Sequence, residues 1–398
     1  MIEKPDPFRY RWAILSVFVL STAINYLDRQ TLAHLATEVQ REFSLSDTQY
    51  GLILTAFSLA YAASAPFAGL LIDRVGLNRG ISLAVGVWSL AGMATGLTQG
   101  LPGLVACRAT LGMAEAGGIP GAGKAIHQYL KPAERALGNA VNQMGVSLGA
   151  MAAPPIATFL SIRYGWRMAF AATGVLGLLW IPVWLRASRG AHVMPAPKMR
   201  AGAARDMLRD RRLWAFMMAN ALGMVGYSLW TNWTTKYLVK VHSLSYVEAT
   251  RYAWLPPLAF AVGGFAGGAF SLRLVQRGLA APRARFRVCL WAAVISLATA
   301  AIPLAPTAIL ATLGICLSSL AVSAFSVNMY SLPLDVFGGP RAAFAVSMLV
   351  ASYGAVQAIV SPAFGKTIDL FGYAPVTTVA ALTPFAACAL LWSARTTR

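Results

Sequence analysis

The amino-acid sequence predicts an all-α integral membrane protein with twelve transmembrane helices in two pseudo-symmetric six-helix bundles. Three observations lead to this prediction. Of the 398 residues, 57% are hydrophobic and only 12% are charged, whereas a soluble chain carries about 25% charged residues. Twelve apolar segments are long enough to cross a bilayer, which takes about 20 residues. A basic segment with two prolines divides them into six and six.

The twelve apolar segments follow one another with short polar connections. A helix satisfies its own backbone hydrogen bonds, as a hydrocarbon environment requires. The chain therefore divides into a first bundle over 1–186, a cytoplasmic basic linker over 187–212 and a second bundle over 213–398. The predicted helices run near 12–34, 48–72, 79–98, 102–127, 136–160, 167–186, 213–235, 249–272, 287–304, 307–330, 342–364 and 374–392.

The net charge of +19 is distributed as in a membrane protein. With both termini in the cytoplasm, the cytoplasmic segments hold 23 of the 33 Lys and Arg, which is the positive-inside pattern. We therefore expect a multi-pass protein of the cell inner membrane, without a cleaved signal peptide. The basic linker favours anionic lipid headgroups as its partner rather than nucleic acid. We expect a monomer in the bilayer.

The sequence contains no pattern typical of an enzyme, a metal site or a cofactor site. The four cysteines and four histidines are scattered, without metal-ligand spacing. The run from Gly118 to Lys124 imitates a phosphate-binding loop but lacks the closing Ser or Thr, and no strand precedes it. We expect no catalytic residue, metal or cofactor, and a membrane-embedded enzyme stays as the alternative from another functional class.

A glycine-containing charged loop follows the second predicted helix. It reads G-x-L-x-D-R-x-G-x-x-R, with Gly69, Asp73, Arg74, Gly76 and Arg79 at the defined positions. This loop resembles the signature loop of the major facilitator superfamily. The resemblance implies the fold of that superfamily and a loop that holds the cytoplasmic side closed. An ordinary charged turn is the alternative interpretation.

A degenerate copy of this loop follows the eighth predicted helix. The run from Gly268 to Arg273 has the glycine and the basic residue but lacks the acid. Many transporters consist of two packed halves with the binding site between them at the middle of the membrane. The weak repeat therefore supports two related bundles.

Four ionisable residues lie within the predicted membrane segments, namely Asp28, Arg29, Arg108 and Glu115. Charges at this depth are costly and usually face a protein interior or a water-filled path. Asp28 and Arg108 each lie six residues from a predicted outer helix end, at His34 and Pro102. Equal depth predicts a pair between them and leaves Arg29 free to bind a carboxylate.

Glu115 falls near the middle of the bilayer, nearly two turns from Arg108 on the same helix face. Its ionised form is poorly solvated there, which suits a group that takes up and releases protons. The alternative is a buried ion-pair cluster that only locks the first and fourth helices together.

Several motifs are similar to the anion:cation symporter branch of the superfamily, which includes hexuronate and galactonate transporters. The resemblance covers the whole chain. It implies that Arg29 holds the substrate carboxylate, that Asp28 and Glu115 exchange protons, and that Tyr61 contacts the substrate. The motifs are Asn25-Tyr-Leu-Asp-Arg29, Arg108-x-x-x-Gly-x-x-Glu115, Gly117 to Gly121, Gly165-Trp-Arg167 and Asn328-Met-Tyr-Ser-Leu-Pro-Leu-Asp-Val-Phe337.

The remaining candidate site residues are neutral and polar or aromatic. Such groups hydrogen-bond hydroxyls and stack on sugar rings, although aromatic residues also form belts at membrane interfaces. In the eleventh helix, Ala355 stands where a polar residue is expected for galactonate-type members. The candidates for substrate binding are Asn25, Tyr26, Gln143, Tyr227, Asn232, Trp233 and Asn328, with Trp230 and Gln357 as further groups.

The sequence thus predicts a secondary active transporter that moves a small organic anion, a sugar acid or other carboxylate, together with protons by alternating access. Arg108 belongs to the predicted proton-coupling group with Asp28 and Glu115. A transporter of lipids or amphiphiles of the spinster type is the alternative within the same architecture. A non-transporting sensor normally carries a soluble signalling domain, and we expect none in this protein.

Overall fold

The computed structural model of the protein describes residues 10–130, 135–189, 203–337 and 339–394. All regular elements in these ranges are helical. They are α1 (Arg11–Phe43), α2 (Asp47–Val75), α3 (Leu77–Thr95), α4 (Leu101–Glu115), α5 (Gly118–Tyr129), α6 (Arg135–Tyr164), α7 (Trp166–Ala187), α8 (Ala203–Leu208), α9 (Arg211–Gly223), α10 (Val225–His242), α11 (Tyr246–Ala253), α12 (Leu255–Gln276), α13 (Ala281–Ser296), a 3-10 segment (Leu297–Leu304), α14 (Ala308–Phe337), α15 (Gly339–Phe371) and α16 (Ala374–Ser393).

Long apolar helices dominate the described part of the chain, which confirms an all-helical membrane protein. Seven segments there are long and apolar enough to cross a membrane by length and composition. These segments are Val141–Tyr164, Trp166–Ala187, Tyr246–Gln276, Ala281–Leu304, Ala308–Phe337, Phe344–Phe371 and Ala374–Ser393.

Two of the predicted helices are broken at points that the sequence explains. The predicted helix over 102–127 ends at Glu115 and restarts at Gly118. Pro120 has no N–H to donate to the carbonyl four residues earlier, and its ring clashes with that carbonyl. The break between α11 and α12 at Trp254 likewise precedes Pro256 and Pro257.

The first helix is longer than predicted. α1 continues to Phe43, well beyond the predicted end at residue 34, and closes with Ser44 in a left-handed conformation. The added turns contain Glu38, Arg41 and Glu42, which interrupt the apolar stretch, so hydropathy alone does not include these turns. This extension changes the depth assigned to every residue of the helix.

Backbone features of the first half of the chain recur in the second half. Ser46 and Ser245 each begin a helix with a full capping box. Three connections in each half also contain a residue with positive φ. The matching pairs are Ser44 and Ser243, Gly76 and Gly278, and Gly165 and Gly372.

Glycines allow several helix pairs to approach closely. A Cβ added to Gly112 of α4 would lie 2.2 Å from the carbonyl oxygen of Phe57 in α2. A Cβ added to Gly263 of α12 would lie 2.2 Å from the carbonyl oxygen of Leu320 in α14. Close backbone approach at small residues is the usual packing mode of membrane helices.

We expect Gly112→Ala to destabilise the protein by about 1–3 kcal/mol, because the new methyl group overlaps a backbone carbonyl that cannot turn away. Thermal unfolding in detergent measures this effect. Gly123→Ala is the matched control, since no described atom lies within 4 Å of its added Cβ and alanine is the better helix former. Equal melting temperatures for the two variants would contradict the packing described for α2 and α4.

Candidate functional site

The central feature of the candidate site is an ion pair between α1 and α4. Arg29 donates to the Glu115 carboxylate oxygen Oε2 from Nη2 at 2.5 Å and from Nε at 2.9 Å. Fourteen residues separate Arg29 from Phe43 at the end of α1, and fourteen separate Glu115 from Leu101 at the start of α4. The observed helix ends therefore place the two residues at the same depth.

The predicted pair between Asp28 and Arg108 is wrong. Within the described residues, neither side chain takes part in an ion pair at 4.0 Å or less. The physical reason is the length of α1, because Asp28 lies much farther from Phe43 than from His34, the predicted end. The prediction that Arg29 has no partner carboxylate is wrong for the same reason, since Arg29 pairs with Glu115.

Asp28 faces α3 and α7. Its Oδ1 accepts a hydrogen bond from Thr173 Oγ1 at 2.8 Å, and a Cβ added to Gly92 would lie 2.9 Å from Oδ2. Asp28 is buried, and Oδ2 has no hydrogen-bond partner among the described residues. Asp28 and Arg108 still interact electrostatically.

A cavity lies between helices of the two halves of the chain, next to the ion pair. Both guanidinium groups line it, with Arg29 on α1 and Arg108 on α4. Arg108 is 3% exposed, and its Nε has no hydrogen-bond partner within the described ranges. The polar and aromatic residues that face the two arginines are Tyr227, Thr231, Asn232, Tyr353 and Gln357.

Aromatic rings enclose the Arg29 guanidinium. Its central carbon lies 5.0 Å from the ring centre of Tyr26, 4.8 Å from that of Phe57 and 5.4 Å from that of Tyr61. Rings at this distance attract a cation through their π faces. These contacts hold the guanidinium in one orientation. Asn25 lies next to the Glu115 carboxylate.

A second cavity adjoins the first. Tyr227 and Thr231 of α10 line both cavities. The second cavity is lined on α1 by Tyr26, Gln30 and His34. Its other walls come from α6, α10, α11, α12 and α14, and include Ser147, Trp230, Thr234, Phe260 and Ser319.

Five predicted binding residues line neither cavity. Asn25 and Tyr61 lie beside the ion pair, whereas Trp233, Asn328 and Gln143 lie farther away. Trp233 is fully buried against Tyr50, at 5.1 Å between ring centres. The amide of Asn328 donates to the carbonyls of Ala324 and Gly267, at 2.8 and 3.3 Å. Gln143 is exposed on α6, one turn before Ser147. Their predicted contact with substrate stays a prediction.

The signature loop forms a tight connection between α2 and α3. Gly76 has φ of 86°, a conformation that favours glycine. Arg74 and Arg79 are exposed, and Gly69 lies within α2. The side chain of Asp73 lies outside the described residues. Lys124 of α5 donates to the carbonyl of Ile72 at 2.9 Å, beside the loop.

Ionic contacts join the two halves at the end where α2 begins. Asp47 of α2 pairs with Lys236 of α10, whose ammonium is buried, and accepts a hydrogen bond from Lys240 at 3.2 Å. We call this group the Asp47 contact. Asp369 of α15 accepts hydrogen bonds from the backbone and hydroxyl of Thr48, at 2.8 and 2.7 Å.

Sequence reasoning missed the Asp47 contact and the second cavity. Lys236 stands just beyond the end of the predicted seventh helix, so hydropathy does not place it among the charges within the membrane. His34 and Ser147 carry no pattern that marks a site. The spacing of Tyr26, Gln30 and His34, four residues apart on α1, is the signal that links them to one helix face.

The described residues contain no group of three or more His, Cys, Asp or Glu that could hold a metal ion. The site instead offers two arginines, one carboxylate that pairs with Arg29, and neutral hydrogen-bonding groups. This composition is suited to binding an anion and does not present an activated nucleophile.

Comparisons with known proteins identify the family of the chain. The Major Facilitator Superfamily model matches residues 18–348. The chain is 27% identical over 407 residues to the hexuronate transporter of Escherichia coli (strain K12), which covers 96% of this chain and 93% of that protein. It is 28% identical over 277 residues to the galacturonate transporter of Dickeya chrysanthemi, covering 65% of this chain and 80% of the relative.

A solved structure confirms the fold. The crystal structure of a bacterial homolog to the human lysosomal transporter Spinster, in an inward-facing and occupied conformation, superposes with a TM-score of 0.77. The match covers 98% of this chain and 97% of that chain at 24% identity. Because the family and the relatives are transporters, the protein is a transporter and not an enzyme. The chain thus belongs to the Major Facilitator Superfamily, and it is of the hexuronate-transporter type.

Proposed function

We propose that the protein is a proton-coupled symporter that carries a small organic anion, a sugar acid in particular, across the cell inner membrane by alternating access. The observation that carries this proposal is the ion pair between Arg29 and Glu115 at the edge of the first cavity. The relatives, which include a hexuronate transporter and a galacturonate transporter, support a sugar acid as the substrate.

The ion pair provides a physical basis for coupling. A substrate carboxylate and the Glu115 carboxylate compete for the same guanidinium, because Arg29 already donates two hydrogen bonds to Glu115. Protonation of Glu115 removes the negative charge that competes with the anion. By linkage, the bound proton then favours the anion and the bound anion favours the proton.

Charge balance leads to the same coupling. Asp28, Arg29, Arg108 and Glu115 together carry no net charge when all are ionised, and all but Arg29 are nearly fully buried. An anion that enters alone adds an uncompensated charge in a medium of low dielectric constant, which is costly. A proton that enters with the anion keeps the cluster neutral.

Alternating access is supported by the cross-contacts at one end of the molecule. The Asp47 contact joins α2 to α10, and Tyr50 donates to the carbonyl of Asn232 at 3.1 Å. With both termini in the cytoplasm, this end faces outward. We therefore propose that the structure corresponds to a state closed to the outside, with the α2–α3 loop as the gate on the cytoplasmic side.

The proposal includes twelve membrane crossings in two bundles, over 1–186 and 213–398, joined by the linker over 187–212. The recurring turns and capping boxes support this division. We propose a monomer with both termini in the cytoplasm and with protons, the anion and the lipid bilayer as its partners. The positive-inside distribution of Lys and Arg supports the orientation.

A thermal-shift screen of the purified protein tests the proposed substrate class. We expect galacturonate and related sugar acids to raise the melting temperature, because a ligand stabilises the folded state that binds it. The shift should be larger at lower pH, as long as galacturonate stays ionised, since a protonated Glu115 no longer competes for Arg29.

The screen includes galactose as the neutral control and lysophosphatidylcholine as the probe for an amphiphile transporter. Stabilisation by lysophosphatidylcholine alone would contradict an anion transporter and would favour the spinster-type alternative. A galacturonate shift that is the same at every pH would contradict the competition at Arg29.

The Asp47 contact gives a prediction about conformation. Lys236→Met should weaken closure at this end by about 3 kcal/mol, because it leaves the buried Asp47 carboxylate without its buried partner. Distances between spin labels on α2 and α11 measure the population that is open at this end. Lys240→Met is the matched control and should have a smaller effect, since that ammonium is half-exposed. Unchanged distances in Lys236→Met would show that the pair does not hold the two halves together.

A further inference from the structure

The second cavity contains two buried polar atoms without a partner. His34 Nε2 on α1 and Ser147 Oγ on α6 make no hydrogen bond to any described residue. The two residues are 5% and 6% exposed, and both line this cavity. Buried polar atoms without a partner cost free energy. They therefore indicate a ligand that supplies polar atoms of its own.

The lining of the second cavity combines hydrogen-bonding groups with aromatic walls. Tyr26, Gln30 and His34 project from one face of α1, and Trp230 and Phe260 provide apolar surfaces across from them. Binding sites typically pair apolar walls with a few placed polar groups. A hydroxyl-bearing carbon chain presents both kinds of surface, with C–H groups for the rings and O–H groups for the polar atoms.

The position of the second cavity relative to Arg29 fits one elongated ligand. Tyr227 and Thr231 line both cavities, so the two spaces meet at α10. Arg29 and His34 are five residues apart on α1, which is about 7.5 Å along the helix axis. A sugar acid whose carboxylate lies at Arg29 can extend its chain toward His34.

We propose that the second cavity is the subsite for the hydroxyl-bearing chain of the transported anion, with His34 Nε2 and Ser147 Oγ as its hydrogen-bonding groups. This inference rests on the proposed function and adds the two side chains that recognise the hydroxyls of the sugar acid. His34 Nδ1 is 2.7 Å from Thr235 Oγ1, which orients the ring. A ligand hydroxyl both donates and accepts, so it satisfies either tautomer of His34.

The test compares galacturonate with hexanoate, a carboxylate that has no hydroxyls, by calorimetry on the purified full-length protein. We expect galacturonate to bind wild type at least about tenfold more tightly than hexanoate, since each satisfied hydrogen bond contributes several-fold in affinity. Ser147→Ala should weaken galacturonate binding about five- to tenfold, and the affinity ratio of the two acids should fall by the same factor.

Two further variants make the test specific. His34→Asn keeps a nitrogen near the position of Nδ1 for Thr235 and removes the Nε2 position, so galacturonate affinity should fall about as much as in Ser147→Ala. Ser228→Ala is the matched control, because Ser228 Oγ is also buried without a partner among the described residues but lines neither cavity. Its galacturonate affinity should stay within about twofold of wild type.

Each outcome decides the proposal. If Ser147→Ala and His34→Asn both bind galacturonate as wild type does, only water fills the cavity and the subsite is overturned. If wild type binds hexanoate as tightly as galacturonate, the subsite is overturned while anion transport stands. If wild type binds no carboxylate at all, the proposed function itself fails, and the subsite fails with it.

Discussion

Arg29→Lys should reduce the affinity for a sugar acid by about a hundredfold or more. A guanidinium offers two parallel N–H donors to a carboxylate, whereas an ammonium acts as a point charge and cannot reproduce that fork. In the structure Arg29 already binds one carboxylate oxygen of Glu115 through two nitrogens, and three aromatic rings hold it in place. Lysine would lose both the fork and this fixed orientation.

Isothermal titration of galacturonate measures the Arg29 effect. Arg163→Lys is the control, because Arg163 is exposed at the end of α6 and should bind as wild type does. Melting temperatures without ligand show whether Arg29→Lys remains folded. Affinity like that of wild type in folded Arg29→Lys protein would remove Arg29 from the substrate site and leave Arg108 as the guanidinium that holds the anion.

Glu115→Gln should separate anion binding from proton movement. Glutamine keeps the shape of the side chain and resembles the protonated acid, so Arg29 no longer has a competing carboxylate. Galacturonate binding should persist and lose its dependence on pH. Exchange of substrate across vesicles should also persist, but accumulation driven by a pH gradient should vanish, because the carrier can no longer release its proton.

Counterflow and gradient-driven uptake in the same proteoliposomes distinguish these effects. If Glu115 had only a structural role, Glu115→Gln would instead lower the stability of the protein. The fraction of the variant that folds would then still couple uptake to protons. Proton-driven accumulation by folded Glu115→Gln protein would exclude Glu115 as the essential proton carrier. Asp28, enclosed by Thr173 and Gly92, would then be the candidate.

The sequence predicts the fold well because hydropathy and positive charge determine the membrane segments locally. Apolar runs of sufficient length form helices whichever partner they pack against. The glycine of the α2–α3 loop is likewise a local requirement, since Gly76 has positive φ. The family and the presence of a charged cluster between α1 and α4 follow from the same kind of local information.

The pairing within the charged cluster could not be predicted, because it depends on where helices end. α1 continues past the apolar stretch to Phe43, and this extension places Arg29 at the depth of Glu115 on α4. It also moves Asp28 away from the depth at which the sequence predicts a pair with Arg108. Hydropathy does not include polar turns that continue a helix beyond the bilayer core. An error of a few turns in one helix end is enough to exchange the partners.

Contacts between distant parts of the chain also could not be predicted from the sequence. Lys236 binds Asp47, nearly half the chain away, and no local pattern relates them. His34 and Ser147 become a candidate site only because α1 and α6 pack around one cavity. Trp233 and Asn328, which the residue types favour, contact neighbouring helices in this structure, and their contact with substrate stays a prediction. Residue type identifies groups that can bind a sugar, and packing decides which of them face it.

The most direct test of coupled transport is uptake of radiolabelled galacturonate into proteoliposomes of the wild-type protein, with internal pH recorded in the same vesicles. We expect an inside-alkaline gradient to drive accumulation above the external concentration, and a protonophore to abolish it. Without an imposed gradient, added galacturonate should acidify the vesicle interior. Equal galacturonate levels on both sides despite the gradient, with no change in internal pH, would contradict coupled transport of a sugar acid and protons.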